Sequence, residues 1–151
     1  MAKKIAVASD HAALDLKAEI IKYLEENGFE YHDFGTYTKD SCNYPDYAEK
    51  VCTAVYNKEY DLGILVCGTG IGMSMAANKC KGIRAALCND TFSAKFTRLH
   101  NDANVLCMGA RTLGAGVALE ITDVFLNTGF EGGRHQTRVD MITALENKLA
   151  K

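Results

Sequence analysis

Two short segments hold residue types that can move a proton and bind an anion. In Cys67-Gly68-Thr69-Gly70-Ile71-Gly72 a thiol stands directly before three glycines spread over five positions, with a hydroxyl two residues after the thiol. Backbone amides that converge at a helix start favour negative charge, so Cys67 is placed where a reactive thiolate would serve as base or nucleophile, with Thr69 beside it. A tight turn usually needs one left-handed glycine. Three point to close backbone approach by a ligand, which makes Gly68, Gly70, Ile71 and Gly72 candidate ligand contacts. The Gly-x-Gly-x-Gly spacing departs from the dinucleotide fingerprint, and the first turn after the first strand has no glycine, so a nicotinamide or flavin cofactor is not indicated.

The second segment, Ser9-Asp10-His11, ends the first apolar run. Asp10 and His11 can contact a ligand or simply cap the next helix. His100 precedes Asn101 and Asp102 at a helix end, where the dipole favours positive charge, and a capping role explains that position equally well. His32 lies on an expected edge strand and reads as solvated. The chain has five arginines against twelve lysines. Arg134 and Arg138 are four apart and share a helical face, while Arg111 follows the fifth strand. Planar guanidiniums suit phosphate, although exposed arginines are also commonly just solvated.

These residues are spaced by a regular alternation. Strands are expected at 5–9, 30–34, 62–67, 83–88 and 105–108, with helices at 13–27, 45–58, 113–127 and 133–149 and helical patterns after the strands between them. Five strands alternating with helices imply a flavodoxin-like, doubly wound five-stranded parallel sheet with helices on both faces and a C-terminal helix. The expected strand order is 2-1-3-4-5, with a ligand at the carboxyl ends of strands 1 and 3. That topology also separates Cys67 from His100. The thiol ends a strand at the carboxyl edge, whereas His100 closes a helix that returns to the amino edge, so a two-fold dimer is needed to bring them together.

The 151 residues fit a single domain, and 48% apolar with 24% charged residues is the balance of an ordinary globular protein. A net charge of −2 without a Lys/Arg run argues against a nucleic-acid surface. The start of the chain is too short in apolar residues for a signal peptide, and no stretch is long enough to cross a membrane, so a cytoplasmic location is expected. Cysteines 42, 52, 67, 80, 88 and 107 show neither CxxC spacing nor metal-ligand clustering, and all but Cys67 read as core residues.

The motifs together resemble the type B ribose-5-phosphate isomerases, in one superfamily with the galactose-6-phosphate isomerase subunits. The resemblance runs nearly end to end, through Ser9-Asp10-His11, Tyr44-Pro45-Asp46-Tyr47, the Cys67 to Gly72 loop, Ala76 to Lys79, Gly82 to Ala85, His100-Asn101-Asp102 and Glu131-Gly132-Gly133-Arg134-His135-Gln136-x-Arg138. It implies interconversion of ribose 5-phosphate and ribulose 5-phosphate by a homodimer, in some members paired further, with the site between subunits and no metal or organic cofactor. By motif position Cys67 matches the base moving the proton between C2 and C1, Thr69 the assisting hydroxyl, and His100 the residue that opens the furanose ring. Asp10, Tyr44 and Asn101 match sugar contacts, and His11, Arg111, Arg134 and Arg138 match phosphate partners. Some relatives carry a glutamate base where this chain has Met73, so the cysteine-based branch is implied. The alternatives are an allose or galactose 6-phosphate isomerase and, from another class, a non-catalytic nucleotide or flavin module.

Overall fold

The computed structural model describes residues 2–150. Strands β1 (Lys4–Ser9), β2 (Glu30–Asp33), β3 (Leu62–Cys67), β4 (Ala85–Leu87) and β5 (Val105–Gly109) alternate with helices α1 (Leu14–Glu26), α2 (Tyr44–Tyr56), α3 (Ile71–Ala77), α4 (Thr91–Asn101) and α5 (Ala115–Asn127), and α6 (Arg134–Leu149) follows. All strand pairs are parallel.

The inner strands are apolar on both faces because both are covered, as a parallel sheet requires. Ile5, Val7, Ile64, Val66, Leu106 and Met108 pack with Leu16, Ile20 and Leu24 of α1 and with Ile121 and Phe125 of α5. Their neighbours Ala6, Ala8, Leu65, Cys67, Val105 and Cys107 pack the other way, on Val51, Cys52 and Val55 of α2 and on Met73 and Ala77 of α3. The doubly wound α/β architecture is therefore the one its alternating pattern implies.

The order of the last two strands is not. The sheet runs β2-β1-β3-β5-β4, so β5 lies beside β3 and β4 forms the edge. Burial accounts for the exchange: all five residues of β5 are buried, whereas Ala85–Leu87 are half-exposed. The strand expected over 83–88 shrinks to three residues because side-chain amides take over its first donors. Asn104 Oδ1 accepts from the Arg84 amide at 2.8 Å, and Asn78 Oδ1 accepts from the Ala85 amide at 2.9 Å. Short edges of this kind also limit unwanted strand pairing. Among the described residues no helix is long and apolar enough to cross a membrane.

Candidate active site

The carboxyl ends of β1, β3 and β5 converge on one group of the candidate residues. Cys67 is buried at the end of β3, and its Sγ accepts a hydrogen bond from the Gly70 amide at 3.2 Å. A donor aimed at the sulfur stabilises negative charge on it. The exposed Thr69 turns its hydroxyl back, and Oγ1 accepts from the Ile71 amide at 3.3 Å.

At two of the three loop glycines a side chain would meet the protein itself, a packing reason for glycine that the spacing did not reveal. Gly70 has φ +77°, and a Cβ there would lie 2.6 Å from Leu87 Cδ1 and 2.8 Å from the Met108 carbonyl carbon. A Cβ on Gly72 would meet the Tyr44 ring at 2.6 Å, so this glycine is what lets Tyr44 lie against the loop. At Gly68 the space is open except for the Arg111 side chain, 3.5 Å away.

The observed strand order matters here. With β5 next to β3, the Ala110 and Arg111 amides donate to the Cys67 and Gly68 carbonyls, each at 2.9 Å, and this docks Arg111 on the cysteine loop. In the 2-1-3-4-5 order β4 would have intervened.

Across the switch point the Asp10 amide donates to the Val66 carbonyl at 3.1 Å, and Asp10 Oδ1 accepts from the Ala12 amide at 2.9 Å. Asp10 thus makes a local turn and does not cap α1, whose N-cap is Ala13. His11 Nδ1 accepts from the Cys42 amide at 3.2 Å. An accepting Nδ1 leaves Nε2 as the protonated nitrogen of the neutral ring, free to donate to a ligand.

A residue without a sequence signal of function anchors this side. Lys17 is buried on the apolar face of α1, and its Nζ donates to Asp33 Oδ1 at 2.9 Å and to the Thr36 carbonyl. Ser9 and Thr36 exchange further backbone bonds with this loop, which leads on to Cys42 and Tyr44. The only hint in the sequence was a lysine among Leu16, Ile20 and Leu24.

His100, Asn101, Arg134 and Arg138 gather elsewhere, around a hollow of about 380 Å³ at the end of α4 and the start of α6. The chain does not bring them to Cys67. His100 closes α4 just before β5 begins, and β5's five residues span about 17 Å to the carboxyl edge. His100 is not a helix cap, a role taken by Asp102 with φ 44°. Its ring stacks on His135 with centroids 4.0 Å apart and meets Phe96 edge-on.

The arginines divide cleanly. Arg98 is buried, with bonds to Asp102 Oδ1 and to the Thr128 and Ala103 carbonyls, and Arg84 binds Asp102 and the Asn101 carbonyl. Those two are structural. Arg111, Arg134 and Arg138 are exposed and, among the described residues, form no salt bridge, which leaves their charge available to an anion.

Four of the other cysteines pack in or against the core, whereas Cys42, expected there too, lies outside it with Sγ 3.7 Å from His11 Nδ1, because the loop that carries it docks on the end of β1. Cys52, Cys88 and Cys107 are buried and free, and Cys42 and Cys80 are half-buried. Burial pushes the Cys88 thiol up to about 11 and raises those of Cys52 and Cys107 as well, so these three stay protonated at neutral pH. Met73 is fully buried, and no carboxylate takes its place at the start of α3. Two residues that individual reading passed over, Glu131 and His135, stand against His100 in the second cluster. Their spacing of four on the entry to α6 was the available signal.

With this geometry in hand, likeness to known proteins is informative. The family model described as Ribose/Galactose Isomerase matches residues 5–142. A ribose-5-phosphate isomerase B of Escherichia coli is 49% identical over 146 residues, covering 97% of this chain and 98% of that protein. The solved structure of Clostridium thermocellum ribose-5-phosphate isomerase B superposes with a TM-score of 0.96 at 48% identity, over 97% of this chain and 99% of the other. The Mycoplasma genitalium ribose-5-phosphate isomerase B, solved with bound ribulose-5-phosphate, gives a TM-score of 0.91 at 44% identity, over 96% and 97%. By motif, by fold and by identity along nearly its whole length, the chain belongs to the ribose/galactose isomerase family, in its type B ribose-5-phosphate isomerase branch.

Proposed function

We propose that this chain interconverts D-ribose 5-phosphate and D-ribulose 5-phosphate as a cytoplasmic homodimer with composite active sites. The observation that carries the reading is Cys67, held by the Gly70 amide at 3.2 Å beside Thr69 and Arg111, at the switch point of a fold whose relatives include ribose-5-phosphate isomerase B.

The chemistry follows from those atoms. Cys67 as thiolate takes the proton from C2 of the open-chain aldose, and the electrons move into a C1–C2 double bond, leaving negative charge on the carbonyl oxygen. The Thr69 hydroxyl carries a proton between the adjacent oxygens, and Cys67 returns its proton to C1 to give the ketose. Opening N–H groups of α3 not engaged by Cys67 or Thr69 face that developing charge without reorganisation. This route calls for no metal or organic cofactor. Asp10 and Tyr44 hold sugar hydroxyls, and His11 and Arg111 hold the phosphate, which fixes the reacting carbons against the sulfur.

His100 of the partner subunit opens the furanose ring, and Asn101, Arg134 and Arg138 of the partner subunit complete the sugar and phosphate contacts. Two features support that arrangement: the distance between the two clusters along β5, and an exposed apolar stripe of Met141, Ile142, Leu145 and Leu149 on α6 that suits burial against a second copy.

A comparison of kcat/KM for ribose 5-phosphate, allose 6-phosphate and galactose 6-phosphate tests the reading. The pentose should lead. A leading hexose would move the chain to another branch of the superfamily, and a coloured protein that turns over none of them would make it a binding module.

A further inference from the structure

Beside His100 the second cluster contains two donors, Glu131 and His135, to which sugar chemistry gives no role. His100, Glu131 and His135 each present one ligand atom, and these atoms all lie within 4.8 Å of one another. His135 Nε2 is 3.3 Å from Glu131 Oε2, and His100 Nε2 is 4.0 Å from the same oxygen. Around a tetrahedral zinc ion, with metal–donor distances of ~2.0–2.1 Å, adjacent donors stand about 3.3 Å apart. Of the three pairs, His135 and Glu131 already have this separation; His100, stacked on His135 with ring planes 12° apart, has to rotate out of the stack before both imidazole lone pairs converge, and its side chain is 36% exposed.

The donors come from three places that the backbone holds together. His100 is in the last turn of α4, His135 is in the first turn of α6, and the Glu131 amide donates to the Leu99 carbonyl at 3.1 Å, which pins the connecting loop against α4. Arg134 and Arg138 line the same hollow. Their charge opposes a bare cation and favours an anion as the fourth ligand.

We propose that His100, Glu131 and His135 form a binding site for a borderline divalent transition-metal ion of the zinc class, and that occupancy inhibits the isomerase by taking the His100 lone pair away from the sugar. The ion here is an inhibitor and takes no part in the reaction. The inhibition, though not the binding, rests on the role given to His100 above. Two imidazoles and a carboxylate form a donor set that selects such metals over magnesium or calcium.

Binding is read by equilibrium dialysis of the purified full chain against Zn²⁺, and by visible absorption on titration with Co²⁺. The wild type should bind one ion per chain with half-saturation at micromolar Zn²⁺, and its activity should fall in step and return with EDTA. Glu131→Gln and His135→Asn should each weaken binding by about tenfold or more, as expected when a ligand is lost. Glu131 has a half-exposed side chain, so Glu131→Gln keeps the test available should His135→Asn fail to fold. Three results would overturn the site: no saturable binding at millimolar Zn²⁺, unchanged affinity in Glu131→Gln, or a thiolate-to-cobalt charge-transfer band that assigns the ion to cysteine. Because binding is measured without substrate, the two readings can fail separately. A chain that binds zinc here yet isomerises nothing keeps the site and loses the proposed function, whereas an active isomerase that binds none loses only the site.

Discussion

The two clusters of functional side chains differ in how they are held. At the carboxyl edge, hydrogen bonds within the chain hold all but the exposed Arg111: Asp10 by the Ala12 amide, His11 by the Cys42 amide, Cys67 by the Gly70 amide, and the loop toward Tyr44 by the buried Lys17. At the start of α6, by contrast, Arg134 and Arg138 are exposed, and the one side-chain bond between them is Arg138 Nη1 donating to the Arg134 carbonyl at 3.3 Å. Arg84 and Arg98, in the same part of the molecule, show that the fold locks arginines where it needs them. One cluster is organised by its own chain. The other is left with unsatisfied charge, which an anion and an opposing surface would complete. Under the proposed function Cys67 acts on the reacting atoms and Arg138 on the remote phosphate, so disturbing the two should leave different kinetic signatures.

The largest effect should come from Cys67→Ala. Loss of the positioned base should lower kcat by roughly 10²-fold or more while substrate binding stays nearly unchanged. A variant keeping more than about a tenth of kcat would remove Cys67 from that role and blur the contrast between clusters.

Arg138→Ala should act on the other side of the comparison. A lost charged hydrogen bond costs about 1.5–3 kcal/mol, which is on the order of tenfold or more in affinity. It should appear in KM and in inhibition by inorganic phosphate, with kcat far less affected. Unchanged phosphate affinity takes Arg138 out of the site.

A smaller change tests whether the clusters meet between subunits. Inactive Cys67→Ala and His100→Asn homodimers, unfolded together and reassembled, should recover about a quarter of wild-type activity, because half of the randomly paired dimers are mixed and each has one intact site of two. The His100→Asn parent needs a control for spontaneous ring opening. If mixed dimers form and activity stays at the parental average, both residues act within one subunit.

The smallest effect concerns stability. His135 has a lowered pKa in the folded chain, from burial first and from His100 and Arg134 next. The unfolded chain therefore binds this proton at higher pH than the folded one, and stability falls as pH drops through the unfolded value near 6.5. Thermal midpoints at pH 7.5 and 5.5 should differ less in His135→Asn than in the wild type, and equal differences would show that other groups set the acid response.

Much of this protein is determined by local sequence. Apolar runs broken by amphipathic stretches specify the alternating strands and helices, since burial on both faces demands continuous apolar residues in β1, β3 and β5. The position of the candidate base is local too, because a strand end, Cys67 and a glycine turn are consecutive. So is the separation of Cys67 from His100, which follows from chain direction alone. What remained open were choices between non-local alternatives. The sheet places β5 inside and β4 at the edge because five buried residues outcompete three half-exposed ones for the central position, and only then does Arg111 come to rest on Gly68. Spacing could not show that Gly70 and Gly72 answer to Leu87, Met108 and Tyr44, nor which arginines Asp102 would claim. The meeting of His100 with Glu131 and His135 likewise joins residues some thirty positions apart, held by one backbone bond from Glu131 to Leu99. Periodicity reports which face of an element is buried, but the partner on that face is fixed by packing of the whole chain, and this is why the elements were legible and their neighbours were not.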